Sequence, residues 1–396
     1  MKTEQHWSLL RINKLQESIL AAGIDAVFLT YSRSTLYYAG TTQPSALIIL
    51  PDAYFLLVFR GLDIVLEETF LDIDRIHSSS SYEDAKEMLK SYSITKGSLG
   101  MELDILPALQ YLKFERLFQD FEIVDISHLI LKQRQIKDAN EIEYIKNACK
   151  ILHRGHVKLM EVLIEGTTEL DLSAEIEDAQ RRAGHEGLYF MRPVDFFMGR
   201  GPLASGGNLS KIAGKIQSVS GVGLSSSIPM GASKKTIKKA EMIVVDIPTH
   251  YRGYHADQSR TYVLGTPPQI CKTMYSAIKE IADRILEKLM PGIRCDALYE
   301  MAMSIAHDLG MGNCFMCLGS DSKRVPFIGH GVGLELNEPP LIGSDNQQVL
   351  EEGMVIALEL EMSASIGEVV KLEDTILIAA DGVEVLTISP RQLHQI

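Results

Sequence analysis

Cysteine is scarce in this chain. Five in 396 residues, an odd number, give no disulfide framework and point to a reducing compartment. Cys314-Phe315-Met316-Cys317 is a lone CxxC, with no second pair and no ligand cluster beside it, so it reads as two reduced thiols and not a structural zinc site. Long apolar runs are also missing. Ala46 to Leu50 is stopped by Pro51-Asp52, and nothing is long enough to span a membrane. The opening, Met1-Lys2-Thr3-Glu4-Gln5-His6-Trp7, is polar and lacks the apolar core of a signal peptide. Together these absences predict a cytoplasmic protein. Positive charge is short too: 39 Lys and Arg face 52 Asp and Glu, and the net charge of −13 argues against nucleic acid or an anionic membrane as partner. What remains is an ordinary globular composition, 46% hydrophobic and 23% charged, with length for two or three domains.

Acidic residues in apolar settings are what the chain has in place of these. Met242-Ile243-Val244-Val245 is a β-branched run of the kind that forms a buried strand, and Asp246 follows it. Arg252-Gly253 supplies a turn, Tyr254 to Val263 reads as the returning strand, and Asp257 lies on it. The hairpin alone is equally consistent with two solvated acids. Further along, Phe327 to Leu334 sets His330 among three glycines, Gly353 to Glu359 is an apolar strand ending in an acid, and Val369 to Ile378 is another with Glu373 at its middle. Buried carboxylates must be paired, hydrogen-bonded or metal-bound. One His and four acids in such settings exceed what a structural network needs. They make a ligand set for two divalent cations, oxygen-rich enough for Mn, with one imidazole that admits Fe, Co or Zn.

The order Asp, Asp, His, Glu, Glu, in the settings Gly-Tyr-x-x-Asp-x-x-Arg-Thr, Gly-His-Gly-x-Gly-Leu and x-x-Glu-Asp-Thr, resembles the pita-bread metallopeptidase superfamily of methionine aminopeptidase, aminopeptidase P, prolidase and the metal-free creatinase. The motifs cover Asp246 to Glu373. The resemblance implies an α/β (α+β) chain with a creatinase-like N-terminal α/β domain over 1–130 and a pseudo-twofold pita-bread catalytic domain over 131–396. It implies metal ligands Asp246, Asp257, His330, Glu359 and Glu373, with Asp257 and Glu373 spanning both ions. Glu359 would take the proton from a bridging water. A homodimer and a small peptide or other small-molecule substrate are also implied.

Local patterns fit this outline. Leu9 to Ala22 has helical periodicity; Ala26 to Leu29, Ala46 to Leu50, Tyr54 to Phe59 and Ser98 to Met101 read as strands; Asp84 to Tyr92 and Pro107 to Leu117 read as helices. Asp138 and Glu141 start a long helix in the manner of a capping box. His153 and His156 on that helix have no acid partner in the motif set and read as ordinary helix residues. An internal repeat runs from Gly166 to Gly184 and again from Gly292 to Gly310, which suggests two similar halves with a site between them.

Departures from the family's pattern bear on the reaction. Counting back from Asp246 places Pro229 where related peptidases carry a His, and Asn337 heads the Asn337-Glu338-Pro339-Pro340 run where they carry another. Proline can do nothing there through its side chain, and Asn can donate a hydrogen bond but not shuttle a proton. Lys371 stands where the family has Arg, and Glu361, two residues from Glu359, shares its face of the strand. His255, two residues before Asp257, is a candidate substitute imidazole and equally an ordinary hydrogen-bonded histidine. Three readings follow: an Xaa-Pro aminopeptidase or dipeptidase-like hydrolase, an enzyme cleaving a non-peptide C–N, C–S or C–O bond on the same scaffold, and a catalytically weak binding protein. The full ligand set favours the first.

Overall fold

The computed structural model describes residues 2–193, 195–196, 198–318 and 323–396. Its contacts divide the chain into Met1–Arg134 and Gln135–Ile396. Among the described residues no helix is long and apolar enough to cross a membrane.

The first unit is built on a six-stranded sheet. Its strands are β1 (Ala26–Leu29), β2 (Ser45–Ile49), β3 (Tyr54–Val58), β4 (Ile76–Ser78), β5 (Gly97–Met101) and β6 (Phe121–Asp125), in the order β4-β3-β2-β1-β5-β6. All four residues of β1 are buried, as expected of an unbroken apolar run at the centre of a sheet. The Pro51-Asp52 turn closes the β2–β3 hairpin, where Leu50 N–H donates to the Ala53 carbonyl at 2.8 Å. Phe28 meets Phe114 and Phe118 edge-on, at 5.2 and 5.3 Å between ring centres, in the core under the sheet. The predicted elements here agree within a residue or two, except that the first helix begins earlier, at Lys2.

The second unit opens on the helix Ala139–Val162. Asp138 caps it by accepting from the N–H groups of Asn140 and Glu141, and the Glu141 carboxylate accepts from Asp138 N–H in return. The internal repeat is visible in the backbone. Helices Glu169–Arg182 and Cys295–Asp308 each have 14 residues. Glu169 N–H donates to the Lys235 carbonyl and Leu170 N–H to that of Ser233; Cys295 N–H donates to Gln348 and Asp296 N–H to Asn346 in the same pattern. Gly166 and Gly292 enter the two units at φ 95° and 96°, a conformation that costs other residues strain.

Among the described residues, two larger sheets and two two-stranded pairs carry the rest. β7 (Leu203–Ser205), β8 (Met242–Val245), β9 (Thr249–Tyr251), β10 (Tyr254–Ala256) and β11 (Arg260–Val263) come from the first half; β12 (Cys317–Leu318), β13 (Lys323–Arg324), β14 (Phe327–Gly331), β15 (Glu338–Gly343), β16 (Val355–Ser363), β17 (Val369–Ala379), β18 (Gly382–Val385) and β19 (His394–Gln395) follow. The larger sheets run β19-β11-β8-β7 and β15-β14-β16-β17-β18. Val244 and Val263 of the first pack in one core with Ile356, Leu358 and Leu372 of the second. The stretch Tyr254 to Val263 is two strands and not the single one predicted. β10 pairs with β9 across Arg252-Gly253, and β11 leaves that hairpin to pair with β8. Asp257 lies in the break between them.

Candidate metal centre

Two strand ends and two strand interiors each deliver one acid to a common point. Asp246 follows β8 directly, and its N–H donates to the Pro202 carbonyl. Asp257 follows β10, and its N–H donates to Thr375 Oγ1 on β17 at 2.9 Å. β16 and β17 pair in a register that sets Glu359 opposite Glu373 and Glu361 opposite Lys371. Residues two apart on a strand share a face, so these four form one ladder. His330 sits on β14 between glycines that the strands need: a Cβ at Gly329 would come within 2.3 Å of the Ala357 carbonyl, and one at Gly331 within 2.3 Å of that of Pro339.

The tautomer of His330 is set by its neighbour. Nδ1–H donates to the Gly331 carbonyl at 3.0 Å, which leaves the Nε2 lone pair for the floor. Nε2 lies 3.9 Å from Asp257 Oδ2 and 3.7 Å from Glu359 Oε1. Asp257, His330 and Glu373 each offer one atom within 4.8 Å of the others, and all three are buried. This donor set, two carboxylates and one imidazole with a free nitrogen, fits a divalent cation. Glu373 is steadied by Ser259 Oγ, which donates to its Oε2 at 2.7 Å, and by Arg260, whose guanidinium holds the Glu373 carbonyl and the Asp374 carboxylate.

Lys371 lies within the floor itself. Its Nζ is 2.7 Å from Asp246 Oδ2, 2.9 Å from Glu359 Oε2 and 3.4 Å from Glu373 Oε2, with the side chain 2% exposed. Burial works against its charge, but the carboxylates of Asp246, Glu359 and Glu373 outweigh that and hold its pKa well above the usual lysine value. Burial likewise raises Glu359, yet Lys371 and His330 more than offset it and keep that carboxyl below its ordinary range. Asp257 and Glu373 go the other way: burial first, then the neighbouring carboxylates, push both well up. Glu361 is pushed up to about 7 by burial and accepts from Ser218 Oγ and Val219 N–H.

Asp246, Asp257, His330, Glu359, Lys371 and Glu373 all line one cavity of about 440 Å³. Its walls are largely apolar, with Phe196, Met198, Phe327 and Leu336 among them, and Asn337 supplies an amide. Two residues singled out in the sequence lie away from the cavity lining. His255 does not reach the cavity: its Nδ1–H donates to the Gly333 carbonyl at 2.9 Å, Phe190 N–H donates to its Nε2 at 3.2 Å, and the residue is wholly buried. Pro229 is exposed, whereas Met230 turns inward and packs with Met198 and Leu336. Sequence reasoning passed over Ser259. The only signal for Arg260 was the Asp-x-x-Arg-Thr setting that follows Asp257. His153 and His156 bond Ser389 Oγ and Tyr262 Oη, as ordinary helix residues do, and Cys314 and Cys317 are both free thiols.

Residues 143–380 match metallopeptidase family M24, and residues 11–136 match the creatinase/prolidase N-terminal domain. The chain is 27% identical over 387 residues to an Xaa-Pro dipeptidase of Pyrococcus horikoshii, covering 97% of this chain and 98% of that protein. A solved Xaa-Pro dipeptidase from Bacillus anthracis superposes with a TM-score of 0.82 at 25% identity, covering 98% of this chain and all of the other. The fold is shared more widely: the N-terminal domain of the FACT complex subunit SPT16 from chickpea superposes at 0.72 with 18% identity, over 98% of this chain and 97% of that one.

Proposed function

This chain belongs to metallopeptidase family M24, and we propose that it is a divalent-metal-dependent hydrolase of the Xaa-Pro aminopeptidase or dipeptidase type, acting on short peptides. The observation that carries this reading is the convergence of Asp246, Asp257, His330, Glu359 and Glu373 on the floor of one apolar-walled cavity. Asp257, His330 and Glu373 hold the cation, with Glu359 Oε1 beside them; a mainly oxygen donor set suits Mn. A divalent ion there supplies Lewis acidity and brings the pKa of water towards neutrality. Glu359 Oε1 is placed to take the proton of the attacking water. The Asn337 amide can donate to the oxygen on which negative charge develops. The Phe196, Met198 and Phe327 wall receives the pyrrolidine ring and keeps bulk water away. A homodimer belongs to the same reading, and light scattering should give about twice the 44.0 kDa chain mass.

A second reading is favoured by the cavity wall. Among the described residues lining it, His330 is the sole imidazole, and Asn337 supplies the amide noted above. Such a wall suits a substrate whose leaving group needs no proton shuttle, as in cleavage of an activated non-peptide C–N bond. Turnover of an Xaa-Pro series with Mn, Co and Zn, for wild type and Asn337→His, tests both readings. The peptidase reading expects slow wild-type hydrolysis that rises by roughly 10–100-fold in the variant, mainly in kcat, since general acid–base groups commonly contribute about 10²–10⁴. No peptide turnover by either protein with metal bound would favour the second.

A further inference from the structure

We infer that the Lys371 ammonium takes the place of one cation, so that the floor holds a single divalent ion beside a fixed ammonium instead of a pair of ions. The inference rests on the floor being a metal centre and concerns how many ions it accepts.

The geometry divides the five ligand-type residues into two overlapping groups. Asp246 Oδ2, Glu359 Oε2 and Glu373 Oε2 surround Lys371 Nζ at 2.7, 2.9 and 3.4 Å. An ammonium has three N–H donors and no acceptor, and three carboxylate oxygens face it here. His330 Nε2, Asp257 Oδ2 and Glu359 Oε1 lie together on the other side, and Asp257, His330 and Glu373 are the three that come within 4.8 Å of one another. Glu359 thus turns one oxygen to each group. The carboxylates thus serve two neighbouring positions for positive charge, and one of them is filled by a covalently attached ammonium.

Chain connectivity points the same way. Lys371 has little room to leave. Its backbone is fixed by pairing with Glu361 across β16, its N–H and carbonyl are both engaged by Thr261 Oγ1, and its side chain is buried. Asp246 is therefore a partner of the ammonium before it is a metal ligand. Its role is to position Lys371, and through it the orientation of Glu359.

Equilibrium dialysis of the full-length protein against Mn, followed by elemental analysis, tests this. Wild type should saturate at one Mn per chain and give the isolated six-line paramagnetic resonance of a single Mn(II). Lys371→Met keeps the stem, removes the charge and frees Asp246 and Glu359, and should take up a second ion. Asp246→Asn, a variant that does not depend on the first one folding, should still bind one Mn, whereas Asp257→Ala should bind none. Two ions in wild type, a single ion in folded Lys371→Met, or loss of Mn from Asp246→Asn would each overturn the inference while leaving a metal centre in place. No Mn in wild type, Lys371→Met or Asp246→Asn would instead overturn the metal centre itself.

Discussion

His330 and His255 look alike in the sequence and differ in the fold. Both are buried, and both stand on a strand beside a glycine turn. His330 spends one nitrogen on a backbone carbonyl and turns the other to the carboxylates. His255 spends both on backbone groups, the Gly333 carbonyl and Phe190 N–H, and shares its surroundings with His250 and His185, whose ring centres lie 5.1 Å from His255 and 4.9 Å from His250 in turn. A histidine with one free buried nitrogen is a ligand or a base in waiting. One with neither free is a strut between loops. The count of backbone partners separates the two roles, and residue type does not.

Replacing each with alanine should separate them most widely. His330→Ala removes the one imidazole from the floor, and Mn affinity should fall at least 10²-fold, because even outer partners of metal ligands are worth about 10–100-fold. Hydrolysis should fall with it, and the unfolding temperature in chelator should change little. His255→Ala should do the reverse. It takes the ring acceptor from the part-buried Phe190 N–H, while the Gly333 carbonyl keeps the backbone N–H of residue 255, a loss of about 1 kcal/mol, and Mn stoichiometry stays as in wild type. Thermal unfolding in chelator and Mn titration on both variants make the check; loss of Mn from His255→Ala would bring that histidine back into the site.

How legible this was in the sequence follows from the same distinction. Elements whose shape is dictated locally were readable: β1 from its unbroken apolar run, the long helix from Asp138 and Glu141, the repeat from glycines at matching positions. The ligand candidates could be named because an acid inside an apolar strand is costly wherever that strand goes. What could not be read was direction across the tertiary structure. That Lys371 reaches Asp246, or that Met230 and not Pro229 turns inward, depends on how β8 lies against β17 and how a loop closes before it. The spacing of residues along one chain does not carry that information.

The smallest expected effect lies in the histidine cluster and separates it from the floor by pH. Burial, with His250 beside it, lowers His185 to about 4 from the usual 6.5, and burial, with His394 beside it, lowers His156 to about 3. Each is neutral in the fold at pH values where the unfolded chain would bind a proton. The unfolded state therefore gains protons first as the solution is acidified, and stability falls as pH drops from about 6.5 towards 4 for His185 and towards 3 for His156; above 6.5 neither contributes a slope. Acid also titrates the floor, so the comparison must be made in chelator and as a difference between proteins. His185 Nδ1 accepts from His250 N–H at 3.1 Å, and a glutamine carbonyl can accept in its place. His185→Gln should accordingly fold, and its unfolding temperature should fall less steeply than that of wild type between pH 6.5 and 4. The two proteins should run parallel above pH 7, where His185 is neutral in the folded and the unfolded chain alike. Parallel curves through the acid range as well would mean that His185 is already protonated in the fold, held by Glu186 across the cluster, and that its burial does not decide its charge.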